Sequence, residues 1–436
     1  MIDSIIEQRS KGNPMIALST ETKLVLKGVN PIRFNQTSPD DQYIVARLRA
    51  IAAELGVHIA SQDSQEPKGK PITAAYSTKD LPEAVADLKR QCGDREPRVA
   101  LVFGSARYDP LVLSQHARDA FPHACVAGCS TAGEIVAGKM LNGSVVALFL
   151  DEEIVEDAAA AVVENLSSDF QVDAAFRKLE QHFKAPISSF DVQKYVGLVL
   201  VDGLSRSEER LMDKIGDRAD IMFVGGSAGD DLRFQRTYVL HNGQAYSNAA
   251  VLVVLRLKRG FEIVKTQSFQ PIGRTLVATK VDEPNRKVIE FNHMPALDGY
   301  ADALGVSADR VHTLFAQHPL GLTVQGEPFV RSPQRVEGRS ILFYCQIKKD
   351  TDLEVLRATD IVADTRAAIE ARRAAPGEIR GMIEFQCILR TLQLRSENRG
   401  HLYGEIFCGI PMAGFSTYGE AYLGHINQTS TILLFR

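Results

Sequence analysis

The sequence predicts an α/β protein of mixed α+β type, with layered mixed β-sheets, outer helices and related strand–helix–strand units. Three observations carry this. Short continuous apolar runs such as "VALVFG" at 99–104 and "VLVVLRL" at 251–257 have strand length and read as strands buried on both faces. Amphipathic stretches opened by Asp-Pro or Ser and closed by Gly lie between them. The stretch "GCSTAGE" at 128–134 returns as "GFSTYGE" at 414–420, with five of seven positions identical.

Residues 1–70 stand apart as an N-terminal appendage and linker. "GNPMIALSTETKLVLKGVNPIRFNQ" shows only weak alternation, and Ser38-Pro39 predicts a helix start. Ile44, Leu48, Ile51 and Leu55 form that helix's apolar stripe, Gly56 ends it, and "SQDSQEPKGK" at 61–70 reads as a linker.

A denser pattern follows. Asp80 and Pro82 open a helix with Val85, Leu88 and Cys92 on one face, closed by Gly93. The strand 99–104 comes next, then a helix from Asp109-Pro110 carrying Leu113, Ala117 and Phe121. "ACVAG" at 124–128 is a strand running into the first motif, and "SVVALFL" at 144–150 is a strand again.

The plan recurs in "YVGLVLVDG" at 195–203, in the helix "SRSEERLMDKIGDRAD" on Leu211, Met212 and Ile215, and in "IMFVGGSAGDD" at 221–231. "TYVLHNG" and the strand "AAVLVVLRL" follow. Near the end, "GMIEFQCILRTLQL" at 381–394 reads as strand. "EIFCGIPMAGFSTYGEAYLGHINQTSTILLF" then reads as strand, motif, His/Asn turn and strand. Phe103 to Gly128 is 25 positions, Leu200 to Gly225 is 25, and Phe385 to Gly414 is 29. Repetition of a supersecondary unit predicts stacked or pseudo-symmetric construction. The glycines read first as residues that permit positive φ or close backbone approach.

Composition sets the limits. A chain of 436 residues predicts two or three domains, and 45% hydrophobic with 24% charged residues is ordinary for a globular protein. A net charge of −4 offers no electrostatic footprint for nucleic acid or an anionic membrane. No apolar run approaches the ~18 residues of a membrane helix. The N-terminus lacks a basic region followed by an apolar one, and the six cysteines show no C-x-x-C spacing. These features predict a cytoplasmic protein with reduced thiols and no covalently attached haem.

Several residues are candidates for chemistry. "GGSAG" at 225–229 fits the nucleophile elbow, but the elbow needs a helix after its strand, and "DDLRFQRTYVLHNG" has no helical period. Cys129 is a nucleophile only if a basic group or helix terminus lowers its pKa, and otherwise a buried structural thiol. His293, His318, His401 and His425 sit in apolar or glycine-rich context, and one imidazole in an apolar pocket is what a non-covalent haem requires. The motif at 414–420 brings hydroxyls, a ring and a carboxylate to one turn, and Arg390 follows a buried strand. Glu420 and Arg390 read equally well as a solvated turn residue and a surface ion-pair partner.

"VALVFGSARYD", "FPHACVAGCSTAGEI", "FVGGSAGDD" and "HNG" resemble the N-terminal half of FIST proteins. "FVRSP", "EFQCILR" and "MAGFSTYGEAYLGHINQTSTILLF" are similar to their C-terminal half. The resemblance implies two FIST-type halves, at 71–290 and 291–436, forming a sensory input module of signal transduction that binds a small ligand such as an amino acid and is not an enzyme. The family's Cys-x-x-Arg matches Cys387 and Arg390, and its glycine motif matches Gly414, Phe415, Thr417, Gly419 and Glu420.

The ligand-binding candidates are Cys387, Arg390, Gly414, Ser416, Thr417, Tyr418 and Glu420, with Cys129, Ser130, Thr131 and Glu134 of the first motif. "FQCILR" and "GHINQTS" look like the stand-alone, nitric-oxide-sensing branch. That likeness implies non-covalent haem b and a partner histidine kinase or cyclic-di-GMP signalling protein, with a homo-oligomer among the states left open. His293 and His318 are the iron-ligand candidates on context alone. The alternatives are an amino-acid sensor, with Arg390 meeting a carboxylate and Glu420 an ammonium, and a hydrolase using Ser227 or Cys129.

Overall fold

The structure, a computed structural model, describes residues 2–10, 14–27, 29, 31, 44, 47–48, 51–52, 70–324 and 326–436. The chain forms two compact units, 1–69 and 70–436. In the first, helices span Ile2–Ser10 and Pro14–Leu26, and Ile5, Leu24, Val29, Leu48, Ile51 and Ala52 form a small core. The second helix occupies a stretch whose alternation is weak in the sequence. Ile44, Leu48 and Ile51 are helical as expected, while the proposed start at Ser38-Pro39, Leu55, the end at Gly56 and the linker 61–69 lie outside the described residues.

The second unit contains the same supersecondary plan three times. The first copy runs strand Ile72–Ser77, helix Glu83–Cys92, strand Val99–Ser105, helix Pro110–Ala120, strand Cys125–Thr131, a hairpin at 134–141, and strand Val145–Leu150. Asp109 caps its helix by accepting from the Val112 amide at 2.9 Å. The second copy runs Val155–Glu164, Asp173–Phe183, Tyr195–Val201, Glu208–Gly216, Phe223–Ser227, a hairpin at 239–246, and Ala249–Leu257. The third runs Phe261–Gln267, Ile361–Ala374, Gly381–Cys387, Ile388–Ser396, Met412–Thr417, a hairpin at 420–426, and Thr429–Phe435.

In each copy the two middle strands are parallel and the last strand returns antiparallel beside the first of them. Each hairpin leaves its own sheet and extends a neighbour's. The first pairs with Met412–Thr417, the second with Cys125–Thr131 and the third with Phe223–Ser227. The exchange is cyclic, so three six-stranded sheets close around one another. Their inner faces share a single apolar core that includes Phe103, Leu200, Phe385, Phe415 and Leu433. Their outer faces are covered by each copy's own helices.

An insertion at 268–360 departs from the repeat, where the other copies make a short strand-to-helix link. It folds into a further sheet, ordered 327–331, 320–324, 352–358, 269–282, 287–291, 340–343 and 333–337, with helix Ala296–Leu304 and its own core around Phe291, Tyr300 and Phe343. The sequence boundary at 290/291 falls inside this sheet. Two sequence assignments are corrected. The strand read at 381–394 ends at Cys387, and Ile388–Ser396 is helix. In "ILRTLQL" the polar Arg390 and Thr391 are buried with Leu394 while Leu392 points outward, which hides the helical period in the sequence. "EIFC" is the end of a helix and a turn, not a strand.

The first glycine of each motif has one shared cause. Gly128, Gly225 and Gly414 pair with Val102, Val199 and Glu384 of the adjacent parallel strand. A Cβ there would lie 1.8, 1.8 and 2.1 Å from those residues' carbonyl oxygens. Close approach of main chains, rather than positive φ, fixes the residue. Gly414→Ala is expected to destabilise the protein by about 1–3 kcal/mol or prevent folding. Gly216→Ala, at a helical position with open space around it, should be neutral or slightly stabilising. Urea unfolding of the two variants checks this.

Candidate functional site

The three motif turns meet. The Gly229 amide donates to the Ser130 carbonyl at 3.0 Å and the Asp231 amide to Thr131 at 3.0 Å, joining the second turn to the first. Ala132 donates to Ser416 at 3.2 Å and Ser416 to Gly133 at 2.8 Å, joining the first to the third. Ser227 donates to Gly419 at 2.8 Å and Tyr418 to Ser227 at 3.1 Å, joining the third to the second. The main chains of the three turns thus form a closed ring.

The acids of the first and third turns are internal clamps. Glu134 accepts from the Thr131 hydroxyl, and from the Ser144 amide at 2.9 Å and hydroxyl at 2.6 Å. Glu420 accepts from the Thr417 hydroxyl at 2.6 Å, and from the Thr429 amide at 3.2 Å and hydroxyl at 2.7 Å. Each carboxylate ties its turn to the start of the last strand. The second turn differs. Asp231 accepts from Ser105 at 2.8 Å, and Asp202 instead takes the Thr237 hydroxyl and the Asn248 amide before the last strand. Burial pushes both Glu134 and Glu420 up to about 7.

A cavity of about 400 Å³ opens beside this ring. Gly203, Leu204, Arg206 and Glu208 line it from the second repeat, and Leu232 and Phe234 from the loop after the second turn. Ile388, Leu389 and Leu392 come from the third repeat's helix, Tyr418 from the third turn, and Arg286, Gln334, Leu342, Phe343 and Tyr344 from the inserted sheet. Arg286 bridges Glu208 at 2.7 Å and Glu209 at 2.6 Å, and donates to the Tyr344 carbonyl at 2.7 Å. This buried charge cluster fastens the insertion to the start of helix Glu208–Gly216.

Tyr418 connects cavity and ring. Its hydroxyl donates to Asp230 at 2.5 Å and accepts from the Leu232 amide at 3.0 Å, and its ring stacks on Phe234 with centroids 5.0 Å apart. The Asp230 carboxylate also gathers the amides of Phe234, Gln235 and Arg236. On the same rim, Arg206, Asp231, Leu232 and Phe234 hold φ of 51°, 53°, 64° and 53°. Left-handed backbone in bulky residues stores strain of about 1–3 kcal/mol per residue, and such residues cluster at ligand sites. Phe234 is also 60% exposed.

The sequence candidates separate on this frame. Tyr418 lines the cavity, and Gly414, Ser416, Thr417, Ser130, Thr131 and the two glutamates build the turns behind it. Ser130 donates to the Gly229 carbonyl at 2.7 Å, and Ser416 pairs with Thr391 at 2.8 Å. Cys387 is buried beside Glu420, and Cys129 lies in the shared core, where burial pushes its thiol well above the ordinary value. Ser227 is buried, bonded to Glu208 at 3.2 Å, and followed by an irregular loop rather than a helix. Arg390 is buried beneath its helix against Thr365 at 2.9 Å.

His293 is exposed on a tight turn at φ 62°, and His318 holds the Leu356 carbonyl at 3.1 Å. Neither lines the cavity, and no lining residue is a histidine or cysteine. The two histidines expected to hold iron therefore do not stand in this cavity. His425 lies buried near Glu208 and Glu209, its pKa lowered by burial. Glu208, Arg286, Phe234 and Leu389 escaped the sequence reading. A charged "SEER" helix start and a loop phenylalanine are signals too common to single out.

Glu134 and Glu420 bind protons more tightly folded than unfolded, so their stabilising effect is complete below about pH 4.5 and is lost as pH rises through about 7. Lowering pH from 8 to 6.5 should raise the urea midpoint of the native chain more than that of Glu134→Gln/Glu420→Gln. Equal responses would remove the buried carboxyls as the cause.

Residues 98–294 match the FIST N domain and residues 296–422 the FIST C domain. An uncharacterized protein of Methanocaldococcus jannaschii, MJ1623, is 22% identical over 264 residues, covering 57% of this chain. The chain spans about half the length of that curated relative, 51%. The cavity draws its walls from both matched regions. The chain belongs to the FIST family, whose paired N and C domains serve as a sensory, small-ligand-binding module of signal transduction.

Proposed function

We propose that the chain senses a small organic ligand taken into the cavity between the second repeat, the third repeat and the inserted sheet. One observation carries the reading. Tyr418 belongs at once to the cavity wall and to the ring of turns, and it holds the strained loop that rims the cavity through Asp230, Leu232 and Phe234. A molecule seated there displaces or reinforces the Phe234–Tyr418 stack, and Asp230 passes the change to the loop and the turns. Such differential contact is what shifts a two-state equilibrium.

The lining suggests an amphipathic guest. Leu232, Leu342, Phe343, Ile388, Leu389 and Leu392 offer apolar contact, while Arg206 at the rim favours an anionic group. Arg286 is already neutralised by Glu208 and Glu209. The proposal includes a signalling partner that reads the altered surface, a histidine kinase or cyclic-di-GMP protein being the class the resemblance implies.

A thermal-shift screen of small amphipathic anions, amino acids and haemin tests the reading. At least one compound should raise the melting temperature, and Leu389→Trp, which fills the cavity, should abolish that shift while preserving the fold. A shift that survives Leu389→Trp places binding elsewhere and overturns the proposal. A sharp one-to-one Soret band lost in His293→Ala or His318→Ala would replace it with the haem reading.

A further inference from the structure

One charge of the cavity lining is unpaired. Among the described residues the lining holds a single carboxylate, Glu208, and two guanidiniums, Arg286 and Arg206. Glu208 is engaged by Arg286 at 2.7 Å and by the Ser227 hydroxyl at 3.2 Å. Arg286 is engaged in turn by Glu208, by Glu209 at 2.6 Å and by the Tyr344 carbonyl at 2.7 Å. Asp230, outside the lining, already accepts from the Tyr418 hydroxyl and from the amides of Phe234, Gln235 and Arg236. Arg206 differs. It is exposed, and its guanidinium makes no ion pair or hydrogen bond with any described residue.

An aromatic face of the lining is open as well. Phe234 lines the cavity and is 60% exposed. Its ring lies 22° from the plane of Tyr418, with centroids 5.0 Å apart, and meets no other ring among the described residues. One face of Phe234 is therefore covered and the other is bare. The backbone beneath it is fixed. Asp230 holds the amides of Phe234 and Gln235 at 2.9 and 2.6 Å, and Phe234 keeps its left-handed φ of 53°. A large ring held out to solvent on a strained backbone is a preformed platform, and a guest that stacks on it need not order it first. The Tyr418 hydroxyl is taken by Asp230 and by the Leu232 amide, which leaves its ring for contact.

We propose that the cavity selects an aromatic monocarboxylate that lacks an α-ammonium group, its ring stacked on the open face of Phe234 and its carboxylate paired with Arg206. The inference rests on the cavity reading above and narrows it. Arg206 is one unpaired cation, so a single negative charge balances it. No unpaired carboxylate lines the cavity to receive an ammonium, which would lose water beside two guanidiniums. A free amino acid is thus rejected through the one group that separates it from the matching acid. The cavity's 400 Å³ lies at the lower end of the roughly 300–1,000 Å³ of small-molecule sites, which suits one ring with a short chain.

Calorimetric titration of the full chain uses matched probes. L-Phenylalanine adds only the ammonium to 3-phenylpropanoate, and 3-cyclohexylpropanoate removes only the aromatic character. 3-Phenylpropanoate should bind at least about tenfold tighter than L-phenylalanine and about three- to tenfold tighter than 3-cyclohexylpropanoate. Arg206→Gln should weaken 3-phenylpropanoate about tenfold, and Arg206→Lys, which keeps the charge, should recover most of the loss. Phe234→Leu should erase the preference for phenyl over cyclohexyl. Both positions are exposed, so unchanged melting temperatures are expected and guard against a fold defect. Equal affinity for 3-phenylpropanoate and L-phenylalanine, native affinity in Arg206→Gln, or no binding of 3-phenylpropanoate overturns the proposal. The two readings fail separately. A different compound whose thermal shift is lost in Leu389→Trp keeps the cavity reading while this one falls, and 3-phenylpropanoate binding that persists in Leu389→Trp removes both.

Discussion

The rest of the structure depends on the closed ring of main-chain hydrogen bonds between the three motif turns. Each turn makes main-chain hydrogen bonds to both others, at 2.8–3.2 Å, in a region where water cannot replace them. A buried main-chain group without a partner is expensive, so no turn can leave the ring without stranding its neighbours. The small residues of the motif follow from this. Bulk at Gly128, Gly225 or Gly414 would collide with the adjacent strand, and Gly229 lies where a Cβ would meet Ala132 of the neighbouring turn at 2.6 Å to its amide nitrogen. The buried Glu134 and Glu420 then hold the first and third turns against their own last strands.

Hairpin exchange extends the same constraint outward. Each sheet is finished by a hairpin from another repeat, so no repeat completes its own hydrogen bonding. The function sits where this symmetry is broken. The second repeat's turn is followed by a strained loop, the third repeat is interrupted by an inserted sheet, and the cavity lies between the two departures. Tyr418 occupies the position held by Ala132 and Gly229 in the other turns, and it alone of the three reaches out to a cavity. The buried Glu384 and Gln386 of the third repeat, where the second has Val199 and Val201, are a second break of the same symmetry.

Much of this was legible in the sequence. The strand–helix–strand units, the three motif copies and their offsets from Phe103, Leu200 and Phe385 coincide with structurally equivalent positions, because buried parallel strands and tight turns leave strong local signals. Strand Val155–Glu164 was missed, since "VEDAAAAVVE" reads as alanine-rich helix as readily as edge strand. The insertion was missed because its strands alternate weakly and pair over long separations, as Phe269–Asp282 does with Asp352–Ala358. The helix at 388–396 reads as strand in the sequence because its polar residues, Arg390 and Thr391, are buried and mask the helical period. At the site, Tyr418 was named from its motif, but Phe234, Glu208 and Arg286 come together only through the exchange of hairpins and the return of the inserted sheet. No local pattern encodes that meeting.

Native-state hydrogen exchange tests the ring most directly. The amides of Ala132, Ser227, Gly229, Asp231, Ser416 and Tyr418 all donate across it. If the ring binds the three repeats into one cooperative unit, these six amides exchange only through global unfolding, with a single free energy and the same dependence on denaturant. Separate exchange of one turn's amides at lower free energy, with the other two protected, would show that the repeats open independently and would contradict the account.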